Sequence, residues 1–175
     1  MPIDNSLNFV PINIAIITIS DTRTASNDTS GDILEKRITG AGHKTIERII
    51  IPDDVTKIKD TLKSMSLQKD IDCIITTGGT GLTGRDTTPE AINDIASKHI
   101  DGFGELFRQV SFNKIGTSAI QSRAVAALVN TTYVFCLPGS TGACIDGWDE
   151  ILKYQLDIRH KPCNFVEIMP RLNEK

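Results

Sequence analysis

An apolar run, Ile71-Asp-Cys-Ile-Ile-Thr-Thr77, passes without a break into Gly78-Gly-Thr-Gly-Leu-Thr-Gly-Arg-Asp-Thr-Thr-Pro89. A buried strand therefore stops where four glycines fall within seven residues, at 78, 79, 81 and 84. A strand feeding a glycine turn and then a helix belongs to an α/β chain, with the turn at the carboxyl edge of the sheet. The chemistry of such a turn is equally restricted. Glycine lets backbone N–H groups approach an anion with no Cβ in the way, and a helix opening just beyond adds the positive end of its dipole. Thr88 is placed to cap that helix, and Pro89 suits its first position.

Gly79, Gly81 and Gly84 fit G-x-G-x-x-G, and the segment nearly fits the P-loop pattern. Neither reading survives its context. A P-loop needs lysine and then a magnesium-binding hydroxyl, whereas this chain has Arg85 and Asp86, so a metal here has to be held by a carboxylate. A dinucleotide fold needs a helix at the third glycine and a second strand ending in an acid. Here Thr87-Thr-Pro delays the helix, and Gly102 to Val110 is helical again.

The rest of the chain alternates strands and helices. Ile12 to Ile19 is a β-branched run of buried type, followed by a polar loop from Ser20 to Gly31. Thr29 or Ser30 is the expected cap of a helix carrying Ile33, Leu34, Ile38 and Ala41, closed by Gly42. Lys44 to Ile51 reads as a second strand, and Val55, Ile58, Leu62 and Met65 recur at the spacing of an amphipathic helix. Asp72 to Thr77 is the third strand. Short helices are expected over Glu90–Ser97 and Phe103–Val110, with Asp101 to Glu105 as a turn, and a further helical stretch near Ser122–Leu128. Thr131 to Leu137 is a fourth strand, and a last helix runs to about Leu156. The expected fold is a three-layer α/β sandwich with a mostly parallel sheet, and residues 1–175 read as a single domain without repeats or linkers.

Composition narrows the partners. A chain of 175 residues buries roughly 70% of its unfolded surface and needs no staple. With 19 basic and 22 acidic residues the net charge is −3, so no overall field draws in nucleic acid or anionic lipid, and any anion must be held locally. Cys73, Cys136, Cys144 and Cys163 show no C-x-x-C spacing and read as reduced, buried thiols; three isolated histidines argue against zinc. The start, Met1-Pro-Ile-Asp, has no basic region ahead of an apolar run, and no stretch reaches the ~18 apolar residues of a membrane span, so the chain reads as cytosolic.

The edge rule then sorts the polar residues. Ser20 and Asp21 end the first strand, Asp53 the second, Thr77 to Asp86 the third and Pro138-Gly139-Ser140-Thr141 the fourth, so all four loops can converge on one crevice. Two carboxylates facing N–H groups at that edge can share Mg²⁺ with a polyphosphate, which points to phosphoryl or nucleotidyl transfer. Each has a plainer reading as well. Asp53 and Asp54 precede a helix and suit an N-cap; Asp86 suits a turn that bonds its own backbone; Ser111 and Ser122 suit caps or loops; Arg123 suits a surface charge.

Several strings acting together carry a resemblance: Thr76-Thr-Gly-Gly-Thr-Gly81, Arg85-Asp86, Thr88-Pro-Glu-Ala91, Gly102-Phe-Gly-Glu-Leu-Phe-Arg108, Gln121-Ser-Arg-Ala124, Leu137-Pro-Gly-Ser140 and Lys161-Pro-Cys-Asn164. Over nearly its whole length the chain resembles the MoaB/Mog family of molybdenum-cofactor biosynthesis proteins, and the run after Pro138-Gly139 and the tail resemble the MoaB branch. The resemblance implies a molybdopterin-binding-like fold and a molybdopterin adenylyltransferase that uses MgATP and releases pyrophosphate. It implies phosphate binding at Gly78, Gly79, Thr80 and Gly81, and it aligns the two aspartates that matter to activity and metal with Asp53 and Asp86. Ser111, Ser122 and Pro138-Gly139-Ser140 fall on pterin-side or phosphate-side positions. Some MoaB-branch proteins lack the first aspartate; this chain has it.

A phosphate is already a competent nucleophile near neutral pH, so such a reaction rests on positioning and charge neutralisation and requires no histidine. The alternative from another class is a non-catalytic pterin carrier or scaffold, which keeps the glycine loop but has no need of Mg²⁺ or of paired aspartates. Family members are trimers or dimers of trimers and have other pathway enzymes as possible partners. Phe103, Phe107, Phe112 and Ile115 offer more apolar surface than short connecting helices need, which marks this segment for an interface in a trimer or hexamer; the plainer reading is that they complete the core, as Phe103 and Phe107 suit.

Overall fold

The computed structural model describes residues 3–174; Met1, Pro2 and Lys175, with the ends of the 1–175 domain span and the reading of the N-terminal start, lie outside the described residues. Strands β1 (Asn13–Ile19), β2 (Lys44–Ile51), β3 (Cys73–Thr77), β4 (Lys98–His99), β5 (Val125–Val129) and β6 (Thr132–Leu137) form one sheet in the order β2-β1-β3-β6-β5-β4. The first four in that order run parallel, and β5 and β4 are antiparallel to their neighbours. Helices α1 (Thr29–Gly40), α2 (Val55–Ser66), α3 (Thr88–Ile95), α4 (Asp101–Ile115) and α5 (Thr141–Gly147) cover the two faces.

Alternation along the central strands divides the core. Ile14 and Ile16 of β1, Cys73 and Ile75 of β3, and Phe135 and Leu137 of β6 face one layer with Leu34, Phe107 and Trp148. Ala15 and Ile17, Ile74, and Val134 and Cys136 face the other with Ile58, Leu62 and Ile92. Strands apolar on both faces need helices on both, and this is the three-layer mixed α/β arrangement expected. Register sets the carboxyl edge: Ile19 lies opposite Ile51, while Thr18, Thr77 and Leu137 form one row. The residues that follow leave the sheet side by side.

Several expectations change. The stretch Ser122–Leu128 is not helical; Val125–Val129 is β5, paired with β6 through a two-residue turn at Asn130 (φ 53°) and Thr131. Its alanines and leucine favour a helix locally, but pairing and burial override that preference. Asp101–Glu105 is not a turn but the start of α4, a helix of 15 residues. Gly104 fits there because a Cβ would lie 2.5 Å from the Ala124 carbonyl oxygen, so the helix packs closer to the lead-in to β5 than any other residue allows. Asp28, not Thr29 or Ser30, caps α1 by accepting from the Gly31 N–H, and α3 has no side-chain cap, because the Thr88 hydroxyl donates instead to the Gly78 carbonyl. Phe103 and Phe107 belong to the core, whereas Phe112 and Ile115 are exposed. Cys163 is exposed; the other three cysteines are buried. Among the described residues no helix is long and apolar enough to cross a membrane.

Candidate functional site

The carboxyl edge holds a cavity of about 220 Å³ lined by all four strand ends: Thr18, Ile19 and Ser20; Asp53; Thr77, Gly78, Gly79 and Asp86; and Gly139, together with Arg23, Asp28 and Ser30. A larger hollow of about 530 Å³ lies between α3, α4 and β5, but it contains none of the strand-end loops of the parallel strands. Convergence of loops, rather than size, selects the smaller one.

The floor is a glycine turn that no other residue can make. Gly78 (φ 106°) and Gly79 (φ 62°) occupy the left-handed region, and a Cβ on Gly78 would meet the Ile19 carbonyl oxygen at 2.1 Å. A Cβ on Gly79 would lie 2.8 Å from Asp53 Oδ1. The Gly78 N–H is already committed to the Leu137 carbonyl. Gly78 therefore ties β3 to β6 rather than offering that donor to a ligand.

Three carboxylates meet beside this turn. Asp54 accepts from the Lys57 N–H and caps α2, which leaves Asp53 for another task. Asp53 and Asp21 exchange bonds: Asp53 Oδ2 accepts the Asp21 N–H at 3.0 Å, and Asp21 Oδ1 accepts the Asp53 N–H at 3.1 Å. Arg85 donates twice to Asp21 Oδ2, at 3.0 and 2.6 Å, linking the loop after β1 to the glycine loop. Asp86 turns back on its own loop, where Thr83 donates to Oδ2 through its N–H and its hydroxyl. The plainer reading of Asp86 thus describes a real contact, yet the residue still lines the cavity.

These contacts separate the three acids electrostatically. Burial, then the charges of Asp21 and Asp86, push the Asp53 carboxyl above its ordinary value. The Arg85 hydrogen bonds hold Asp21 below its own, and the Thr83 hydroxyl holds Asp86 below. A half-buried carboxylate raised by burial and by two neighbouring anions is one whose charged form a cation would favour. Among the described residues no group of three or more His, Cys, Asp or Glu forms a cage by itself. That donor set fits Mg²⁺, which keeps waters and takes one or two carboxylates plus substrate phosphates.

Other predicted residues fall in several places. Ser20 Oγ accepts from the Thr22 and Arg23 N–H groups and shapes its loop. Thr77 donates to the Pro138 carbonyl, and Ser140 caps α5. Thr80 is buried and its carbonyl accepts from Arg123. Ser111 is buried in α4 and Ser122 Oγ is buried without a partner; neither lines this cavity, and nor do Asp21, Thr80, Gly81, Pro138 and Ser140. Sequence reasoning missed Thr18, Arg23, Asp28 and Ser30. Asp28 is fully buried, accepts from Thr18 Oγ1 at 2.9 Å, and pairs with Arg48 at 2.8 Å; burial opposes its charge, but these bonds hold its carboxyl below the usual range. Ser30 donates to the Gly139 carbonyl at 2.8 Å. The only signal was an Asp-Thr-Ser-Gly string ahead of a helix, which reads equally as a cap.

A family model described as a probable molybdopterin binding domain matches residues 15–158, a span that contains every lining residue of the cavity. The chain belongs to the MoaB/Mog family of molybdenum cofactor biosynthesis proteins. Molybdenum cofactor biosynthesis protein B of Escherichia coli (strain K12) is 42% identical over 160 residues, covering 91% of this chain and 94% of the relative. The protein of the same name from Bacillus cereus is 43% identical over 133 residues, covering 75% and 79%. Among solved structures, a crystal structure of Molybdenum cofactor biosynthesis protein B superposes with a TM-score of 0.85 at 35% identity, covering 95% of this chain and 98% of that one. The tungsten cofactor synthesizing protein MoaB from Pyrococcus furiosus gives 0.77 at 27% identity, covering 94% and 98%. In this MoaB/Mog chain the family fold and the cavity rest on the same feature, the alignment of four strand ends at one edge.

Proposed function

We propose that this chain acts in molybdenum cofactor biosynthesis as a molybdopterin adenylyltransferase. A terminal phosphate oxygen of molybdopterin attacks the α-phosphorus of ATP; the bond from that phosphorus to the bridging oxygen of the β-phosphate breaks, giving adenylyl-molybdopterin and pyrophosphate. The observation that carries this reading is the meeting of Asp53, Asp21 and Asp86 beside the Gly78–Gly79 turn. Asp53 and Asp86 are the residues that would hold Mg²⁺ with the nucleotide, and the ion would offset the repulsion between two polyanions. The chain's own residues do the positioning. The glycine turn permits close approach of phosphate to backbone, Arg23 supplies positive charge in the wall, and the Asp21–Asp53 exchange holds the acid in place.

A carrier that only binds pterin gains nothing from a partly buried carboxylate crowded by two others, since burial and then the charges of Asp21 and Asp86 raise Asp53 at a cost in stability. That cost favours turnover over storage. We also propose that the chain assembles as a trimer or hexamer through the exposed apolar residues near the end of α4, and that other enzymes of the pathway are further partners. The deciding experiment is pyrophosphate release by purified protein given ATP, Mg²⁺ and molybdopterin. Stoichiometric pterin binding without pyrophosphate would establish the carrier instead.

A further inference from the structure

Arg123 lies in the segment that leads into β5, outside the cavity lining, yet it is bonded to three points around the glycine loop. Its Nε donates to the Thr80 carbonyl at 3.1 Å and its Nη2 to the Asp86 carbonyl at 2.7 Å. Nη1 pairs with Glu90 in the first turn of α3. One planar guanidinium therefore holds both ends of the segment from Thr80 to Asp86, and Glu90 holds the guanidinium.

We propose that Arg123 is a positioning residue for Asp86, setting the carboxylate's place at the cavity from behind the loop. A peptide's C=O and N–H point in opposite directions, so fixing the Thr80 carbonyl on Arg123 turns the Gly81 N–H away from it. Gly81 is packed on the Asp86 carboxylate, where a Cβ would lie 2.6 Å from Oδ2, and its N–H favours the charged form of that acid. The second fork of Arg123 fixes the peptide of Asp86 itself. Asp86 is thus located through its own backbone and through the peptide that faces its side chain. A lysine cannot do the same: its single ammonium lacks the planar fork needed to serve two carbonyls and a carboxylate together.

The inference rests on the role given to Asp86 above, so the test has one arm that depends on turnover and one that does not. Arg123→Lys keeps the charge and Arg123→Gln removes it. In pyrophosphate release assays across a magnesium titration, both variants are expected to lose roughly 10–100-fold in kcat or in apparent magnesium affinity, the usual scale for residues that orient metal ligands. The KM for molybdopterin is expected to stay within about 2-fold, and added guanidinium ion to restore part of the Arg123→Gln loss. A merely structural role would not produce that split. Independently, amide hydrogen exchange at Gly81 and Thr83 is expected to speed up by at least about 10-fold in Arg123→Lys while core amides of β1 and β3 stay unchanged. Wild-type turnover together with wild-type exchange at Gly81 would overturn the proposal. If the unaltered protein releases no pyrophosphate, the adenylyltransferase reading fails, and the exchange arm alone decides whether Arg123 sets the loop.

Discussion

Asp53 and Asp54 are neighbours of the same type ahead of the same helix, and their roles separate only in three dimensions. Asp54 caps α2; Asp53 reaches across to Asp21 and the cavity. Asp53→Asn keeps an oxygen to accept the Asp21 N–H, so turnover is expected to fall by orders of magnitude with no loss of melting temperature. Stability carries a further sign. Because folding raises the Asp53 carboxyl, its protonated form is the one the fold favours, and the wild type loses stability as pH rises through that titration. The asparagine variant has no such loss. In magnesium-free buffer it is expected to match the wild type at acid pH and to melt higher at neutral pH, with added Mg²⁺ raising only the wild type; melting curves across pH check this, and a variant melting lower at neutral pH would refute it. Asp86→Asn can keep its bonds from Thr83 through the amide oxygen and is expected to fold normally while turnover drops by several kcal/mol of transition-state stabilisation. Near wild-type pyrophosphate release would reduce Asp86 to a turn residue.

At the scale of elements, α4 contains two glycines of opposite meaning. A Cβ on Gly102 meets open space, so Gly102→Ala should stabilise by up to about 1 kcal/mol through helix propensity. A Cβ on Gly104 meets a backbone oxygen at 2.5 Å, and backbone cannot step aside as a flexible side chain can. Gly104→Ala should therefore cost about 1–3 kcal/mol. Urea midpoints at constant slope measure both, and equal signs would contradict the packing described. The same contact explains a misreading. Sequence alone makes Asp101-Gly-Phe-Gly-Glu a turn because two glycines weaken a helix, but the approach of α4 to Ala124 is what the second glycine serves. Likewise Val125-Ala-Ala-Leu-Val favours a helix until β6 is beside it.

For the whole molecule, Phe112 and Ile115 near the end of α4 and Ile120 in the turn after it are exposed at 57%, 58% and 84%, and Phe112 and Ile120 line one surface hollow. Water leaves such surface only through a partner. A trimer or hexamer of the 19.1 kDa chain is expected by light scattering, and Phe112→Asp is expected to shift it toward monomer without loss of secondary structure. A wild type that is monomeric at micromolar concentration would refute this. What the amino-acid sequence determined by itself was the frame: the parallel strands from their β-branched runs, α2 from its apolar period, and the glycine turn with Arg85 and Asp86 beside it. Strand ends could be paired with loops because carboxyl edges follow from chain direction. What only the tertiary structure decided was anything that depends on a partner distant in sequence. Asp28 and Arg48 are 20 residues apart, Asp21 and Asp53 are 32 apart, and Arg123 reaches back 37 residues to Asp86. Propensity and periodicity extend over a few turns of chain, whereas hydrogen bonds and burial act between whichever groups the fold brings into contact, so the buried Asp28–Arg48 pair, the acid and the clamp were settled there.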